Sequence, residues 1–307
     1  MTEAIWWAVA RSEEIHADKP MNVDLGDQPV VLWRDKAGSA HALEDRCPHR
    51  RAPLSLGCIL ESGAIQCGYH GWTFDGSSGQ LVDIPNLKSD RKYPPVYKAR
   101  AFGVHESGGF VRICLDAKAA PPPPEDFVLP LSGTSIVSLD HEQWIDALFD
   151  DPSLLLAIRG VRFTPYLQTE LRERDGLLML ERSCQWASPH WPSPFTSDFP
   201  ISLRIVTHPV TGEAELTLLD DEFNLLFHAA VAPVPAARGV TQVRWRAVLS
   251  PELPGLMAKA MSVGTPFKIF DHVDGAALRV LKPSASIHAS DLREEIAQHR
   301  TQQEAAA

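Results

Sequence analysis

Residues 47–72 read CPHRRAPLSLGCILESGAIQCGYHGW, and the rest of the chain is best read outward from them. The stretch holds two spaced pairs, Cys47-x-His49 and Cys67-x-x-His70, each on a segment punctuated by Gly or Pro. A thiol and an imidazole two or three residues apart form a metal-ligand pair. Cys58 falls between the pairs and outside both, so it reads as a buried spare cysteine. Cys114 and Cys184 sit in strand-like runs and read as small apolar core residues.

Two occupants suit two Cys and two His. One is structural zinc, tetrahedral and redox-silent. The other is a [2Fe–2S] cluster with two thiolates on one iron and two imidazoles on the other. A zinc finger carries its histidine pair on a helix, whereas both pairs here lie on turn-rich segments between strands. Each segment also supplies one Cys and one His, so each iron can draw its two ligands from both segments. The cluster is the better reading.

The flanking sequence has the matching character. Runs such as 28–43 (QPVVLWRDKAGSAHAL), 63–82 (GAIQCGYHGWTFDGSSGQLV) and 101–114 (AFGVHESGGFVRIC) alternate apolar residues between Gly-rich turns. They predict a small antiparallel β domain over residues 1–118. Ala119-Ala120-Pro121-Pro122-Pro123-Pro124 then forbids a regular element, and residues 119–130 read as a linker.

Residues 131–307 form the second predicted domain. Trp144, Ile145, Leu148 and Phe149 have helical spacing, and Pro152 opens a second short helical piece. Long strand-like runs follow: GLLMLERSCQWA, ISLRIVTHP, AELTLLDD, NLLFHAAVAP and TQVRWRAVLS, with a hairpin turn at 210–212. From Pro251 to Lys282 apolar residues return to helical spacing through Leu256, Met257, Ala260, Met261, Phe267, Phe270, Val273 and Leu278. The expectation is an α+β chain: an all-β first domain, then an antiparallel sheet gripping a long C-terminal helix.

The 307 residues are 44% hydrophobic and 22% charged, with a formal net charge of −10. That balance speaks against non-specific nucleic-acid binding, which needs a basic face. No apolar run approaches the ~20 residues of a membrane span, and the N-terminus lacks the marks of a signal peptide. Five cysteines, two of them in ligand spacing, suit a reducing cytoplasm better than a disulfide framework.

The phrase Cys67-Gly68-Tyr69-His70-Gly71-Trp72-x-Phe74, with Arg50, Ala52-Pro53-Leu54-Ser55 and Gly57, resembles the Rieske domain of the Rieske non-haem iron oxygenases. The likeness runs from Trp6 to Ile84-Pro85. It implies a Rieske [2Fe–2S] cluster on Cys47, His49, Cys67 and His70, followed by a helix-grip catalytic domain. In that family a mononuclear iron is held by two histidines and a carboxylate. The family motif there is Asp-x-x-His-x4-His, whose Asp bridges to a Rieske histidine of the neighbouring subunit.

Here the motif departs. Set without gaps, Asp150 takes the bridging position, Ser153 the first His and Ile158 the second; a one-residue slip to Asp151 gives Leu154 and Arg159. No histidine lies between His141 and His190. Asp274, in Phe270-Asp271-His272-Val273-Asp274, falls on the family's carboxylate position. His190, His208, His228 and His272 are the remaining candidates for a rebuilt site.

Three functional readings follow from the resemblance. The first is an electron-transfer or structural subunit of a heteromeric oxygenase, an oxidoreductase component that does not activate oxygen alone and holds no mononuclear Fe(II). It would take electrons from a reductase or ferredoxin and share a trimeric or hexameric ring with an iron-bearing homologue. The complex would carry out NAD(P)H-driven hydroxylation or demethylation of a small aromatic compound. The second is a competent oxygenase with an unorthodox iron site. The third is a non-enzymatic, redox-responsive binding protein. No nucleic acid, no membrane and a cytoplasmic location go with all three.

Overall fold

Alternation of apolar and polar residues dominates the chain, and the computed structural model is accordingly mostly β. It describes residues 4–87, 93–186, 200–253 and 264–273. The chain divides into two compact units. One comprises Glu3–Val128 with Val234–Arg238, the other Leu129–Pro233 and the chain from Gly239 onward.

The first unit is built from three small antiparallel sheets. Strands β1 (Trp7–Arg11), β9 (Gly103–Ser107) and β10 (Phe110–Cys114) pair in the order β1-β10-β9. Strands β2 (Met21–Leu25), β3 (Gln28–Arg34) and β4 (Ala40–Glu44) form a meander. The third sheet joins β5 (Cys58–Ile59), β6 (Ile65–Gln66), β7 (Thr73–Phe74) and β8 (Leu81–Asp83) in sequence order.

Two cores result. Val9, Val23, Val30, Leu32, Val111 and Ile113 fill one, joined by Val234. Val31, Trp33, Leu43, Leu54, Ile65 and Phe74 fill the other, and Cys47 and Cys67 lie in it. Strand β3 serves both because its side chains point alternately to either face. The Trp33 indole also donates to Gly63 O at 2.9 Å, so its one polar atom is satisfied in the core.

The second unit is organised by an eight-stranded antiparallel sheet. Its strands are β11 (Leu131–Val137), β13 (Val161–Gln168), β14 (Arg172–Arg174), β15 (Leu177–Trp186), β16 (Pro200–Thr207), β17 (Ala214–Leu219), β18 (Leu225–Ala237) and β19 (Val240–Leu249). The order is β11-β19-β18-β17-β16-β15-β13, with β14 on β15. Strand β15 shows why: Leu178, Leu180, Arg182, Cys184 and Trp186 are buried, alternating with more exposed neighbours. The turn at 210–212 joins β16 to β17, with Gly212 at φ +67°.

Helix α1 (His141–Asp150) buries Trp144, Ile145, Ala147, Leu148 and Phe149 in the same core. At about 1.5–3 kcal/mol for each large apolar side chain, this face holds the helix better than its propensity does. Its last carbonyls are not left bare. The buried Arg182 guanidinium donates to Phe149 O at 2.6 Å and Asp150 O at 2.9 Å.

The expected long C-terminal helix is not borne out where it is described. Phe267–Ile269 form a strand, β20, paired antiparallel with β12 (Leu156–Ile158). The apolar run Phe267, Ile269 and Phe270 satisfies a two-residue period as well as a helical one, and pairing with β12 selects the strand. The other positions read for that helix lie largely outside the described residues, Asp274 and everything beyond it included. Among the described residues α1 is the one α-helix, so an α+β class is not established.

Candidate metal centre

The two ligand-bearing segments fold into turns with one shared backbone plan. In the first, Cys47 N–H donates to Ala52 O and Arg51 N–H to Cys47 O, both at 2.8 Å. In the second, Cys67 N–H donates to Trp72 O at 2.8 Å and Gly71 N–H to Cys67 O at 3.0 Å. The offsets from each cysteine are the same, four and five residues. The fourth residue after each cysteine is left-handed: Arg51 at φ +60° and Gly71 at φ +73°. Gly71 also has no room for a side chain, since a Cβ would come within 2.5 Å of Pro85 Cγ.

Further bonds hold the first turn in place. The buried Asp45 carboxylate accepts from Ser55 N–H at 2.7 Å, Ser55 Oγ at 2.5 Å and Asn22 Nδ2 at 3.1 Å. It thereby ties the residues before Cys47 to the short 3-10 turn at Leu54–Leu56. Sequence reasoning missed Asp45, and an aspartate before a cysteine carries no signal that could have found it.

The four side chains are brought together by this frame. Cys47 and Cys67 are both buried, at 2% exposure. The rings of His49 and His70 lie 4.6 Å apart, centroid to centroid. Trp72 stacks flat on His49 at 4.4 Å and 2°, and Tyr97 meets Trp72 edge-on at 5.0 Å. Tyr69 leans on His70 at 3.9 Å, and both are exposed. The cysteine side is therefore enclosed while the His70 side opens to solvent.

The electrostatics suit a metal-binding pocket. Burial pushes the Cys47 thiol up to about 11, with the His49 N–H opposing and the Cys67 thiol reinforcing the shift. Burial, with His70 and Arg50 adding to it, holds the His49 imidazole below its usual value. A neutral His49 imidazole and a protonated Cys47 thiol are ready to accept metal at the cost of releasing the thiol proton.

One atom tests the fit. His49 Nδ1 is buried with no hydrogen-bond partner among the described residues, two residues along the same turn from the buried Cys47. A buried polar atom without a partner costs about 1–3 kcal/mol, and an iron bond would satisfy it. A [2Fe–2S] cluster asks only for two ligands at each of two irons, so the four residues fit it.

Cys58 corrects an expectation: it is exposed, on the two-residue strand β5, with Sγ 3.8 Å from Gln66 Oε1. A strand that short shields little of its surface. Cys114 and Cys184 are buried as read, and burial pushes Cys184 up to about 12.

The positions where the resemblance puts mononuclear-iron ligands are built differently. Helix α1 ends at Asp150, and Pro152–Leu154 make a 3-10 turn. Ser153 is exposed, its N–H and Oγ both on Asp151 Oδ1 at 3.0 and 2.5 Å. Ile158 points into the core from β12, opposite Phe267. His208 Nδ1 accepts from Val210 and Thr211 N–H within its own turn, and His228 Nε2 meets Glu215 at 2.6 Å. His272 is exposed, while His190 and Asp274 lie outside the described residues.

Comparison with known proteins places this geometry. The family model described as Rieske [2Fe-2S] domain matches residues 5–96. Protein TIC 55, chloroplastic, of Arabidopsis thaliana is 32% identical over 168 residues, 52% of this chain and 31% of that protein. The oxygenase component of dicamba O-demethylase from Stenotrophomonas maltophilia is 42% identical over 108 residues, 35% of this chain and 30% of that one. The chain spans about a third of the length of the curated relatives it matches.

Among solved structures, dicamba monooxygenase with non-heme iron and dicamba aligns at a TM-score of 0.64 and 23% identity. The alignment covers 84% of this chain and 81% of that one, a likeness of fold. No helix among the described residues is long and apolar enough to cross a membrane. Residues 5–96 thus match the Rieske [2Fe–2S] domain, in a chain that is similar over part of its length to the oxygenase component of dicamba O-demethylase and shares the fold of dicamba monooxygenase.

Proposed function

We propose that this chain is the electron-carrying subunit of a heteromeric Rieske-type oxygenase, with its [2Fe–2S] cluster on Cys47, Cys67, His49 and His70. The observation that carries the reading is the buried, unpartnered Nδ1 of His49, on the same turn as the buried Cys47 and with its ring 4.6 Å from that of His70. When bound, such a cluster supplies one-electron transfer at roughly −150 to +300 mV. The protein does the rest. Cys47 and Cys67 give up their protons on binding, Trp72 fixes the plane of the His49 ring, and Leu54, Ile65 and Phe74 keep water from the thiolates.

On this reading the oxygen-activating iron belongs to a homologous partner chain. Ile158 in the core and Ser153 tied to Asp151 support that assignment, since neither offers an imidazole. Asp150, at the end of α1, is the proposed bridge for electrons leaving toward that partner. A ferredoxin or reductase donor, a ring of three or six chains and a cytoplasmic location complete the proposal. The substrate class is a small aromatic compound, hydroxylated or demethylated at the expense of NAD(P)H, in keeping with the relative named dicamba O-demethylase.

Iron and acid-labile sulfide per chain test it. The expected result is two of each, with oxygen uptake only when an iron-bearing homologue is added. Three irons per chain, with oxygen uptake by the chain alone, would overturn the subunit role and favour an unorthodox iron site instead.

A further inference from the structure

Among the described residues of the first unit, Asp45 is the most deeply buried charged side chain, at 4% exposure, two residues before Cys47. Both of its oxygens act as acceptors. Oδ1 accepts from Ser55 N–H at 2.7 Å, and Oδ2 from Ser55 Oγ at 2.5 Å and Asn22 Nδ2 at 3.1 Å. An acid that only accepts is a carboxylate, and all three of its donors are neutral. No cation among the described residues forms an ion pair with it; the adjacent Arg46 reaches Glu44 instead, at 3.7 Å.

A buried charge held by neutral partners alone is costly, and a ligand turn of this plan does not require one. The second turn closes the same backbone bonds with the fully buried Ile65 two residues before Cys67. An acid in one frame and a hydrocarbon in the other is a difference of electrostatics. The potential of an iron–sulfur centre responds to the charge around it, and an anion in a poorly polarisable core opposes an added electron. We infer that Asp45 is a positioning residue whose fixed negative charge, acting through the Cys47 turn, lowers the reduction potential of the proposed cluster. The inference rests on the function proposed above and deepens it: the reduced cluster becomes the stronger donor. On reduction the cluster gains one electron and one ferric ion becomes ferrous; Asp45 exchanges neither electron nor proton. Charge and shape can be separated here. With asparagine at 45, a turned Ser55 hydroxyl and a flipped Asn22 amide keep all three hydrogen bonds.

The test is a redox titration of the full chain with its cluster, followed by circular dichroism and electron paramagnetic resonance. Asp45→Asn should move the one-electron equilibrium about tenfold toward the reduced cluster, about 59 mV, with the resonance lines unchanged. The shift should persist from about 50 to 500 mM salt, because a buried charge is little screened. Ser55→Ala keeps the acid and removes a donor that spreads its charge, so the equilibrium should move the other way by about twofold. Equal potentials in wild type and Asp45→Asn, a shift abolished by salt, or one accompanied by altered resonance lines overturns the inference alone. A shift of both variants in the same direction does so too, since the bonds and not the charge would then matter. If Asp45→Asn holds no cluster, Ser55→Ala decides: a fall in potential upholds the inference, and a rise or no change overturns it. A wild-type chain that takes up no cluster overturns the function and the inference together.

Discussion

Two segments carry the positions where the resemblance expects metal ligands, and they treat polar atoms in opposite ways. In residues 47–72 both turns are closed by backbone bonds, while a ligand-type side-chain atom, His49 Nδ1, is buried without a partner among the described residues. In residues 150–158 the polar groups satisfy one another, Ser153 on Asp151, and the remaining position, Ile158, is sealed in apolar contacts. A frame that leaves a buried nitrogen unpaired is waiting for something outside the chain. A frame that closes its own bonds is finished.

The largest expected effect breaks the first side of this contrast. His70→Ala removes one imidazole from an iron and should abolish the cluster, its colour and all electron transfer, while the second unit keeps its fold. Visible absorbance, iron content and circular dichroism read the three outcomes. An unchanged visible spectrum would show that His70 is not a ligand.

Putting a histidine back tests the second side. Ile158→His places a polar ring in a packed core and should cost about 2–5 kcal/mol by denaturant unfolding. Ser153→His, on the surface, should cost under about 0.5 kcal/mol. If the double variant bound a third iron without loss of stability, the segment would be a dormant site and not a closed one.

A smaller change sharpens the comparison of the two turns. Gly71→Ala forces a side chain into a left-handed position against Pro85 and should destabilise the first unit by about 1–3 kcal/mol. Arg51→Gly at the equivalent position relieves backbone strain and should be tolerated, its lost ion pair with Glu44 being exposed. Thermal unfolding of the two variants side by side measures the asymmetry. Equal effects would mean that the shared backbone plan, and not Pro85, decides both.

How far the sequence revealed all this depends on distance along the chain. Cys and His two or three residues apart, and the alternation in β15, are local patterns, legible as candidate ligand pairs and as a strand. Asp45 was not, because its partners Ser55 and Asn22 are set by folding and not by spacing. Phe267–Ile269 misled for a related reason. Three residues are too few to distinguish a period of two from one of 3.6, so the pairing with β12 decided. Cys58 looked like core because a cysteine usually is, but a two-residue strand offers it no cover.

The matched turns around Cys47 and Cys67 have one more consequence. A centre that gains and loses an electron repeatedly works fastest when its surroundings need not rearrange at each exchange. Here each half of the proposed ligand set is clamped at the same two offsets by bonds of 2.8–3.0 Å, like a lens held by the same mount from both sides. On the proposed function, the nuclear rearrangement on changing oxidation state should be small and equally shared, so that the pace of the traffic is set by the arrival of partners.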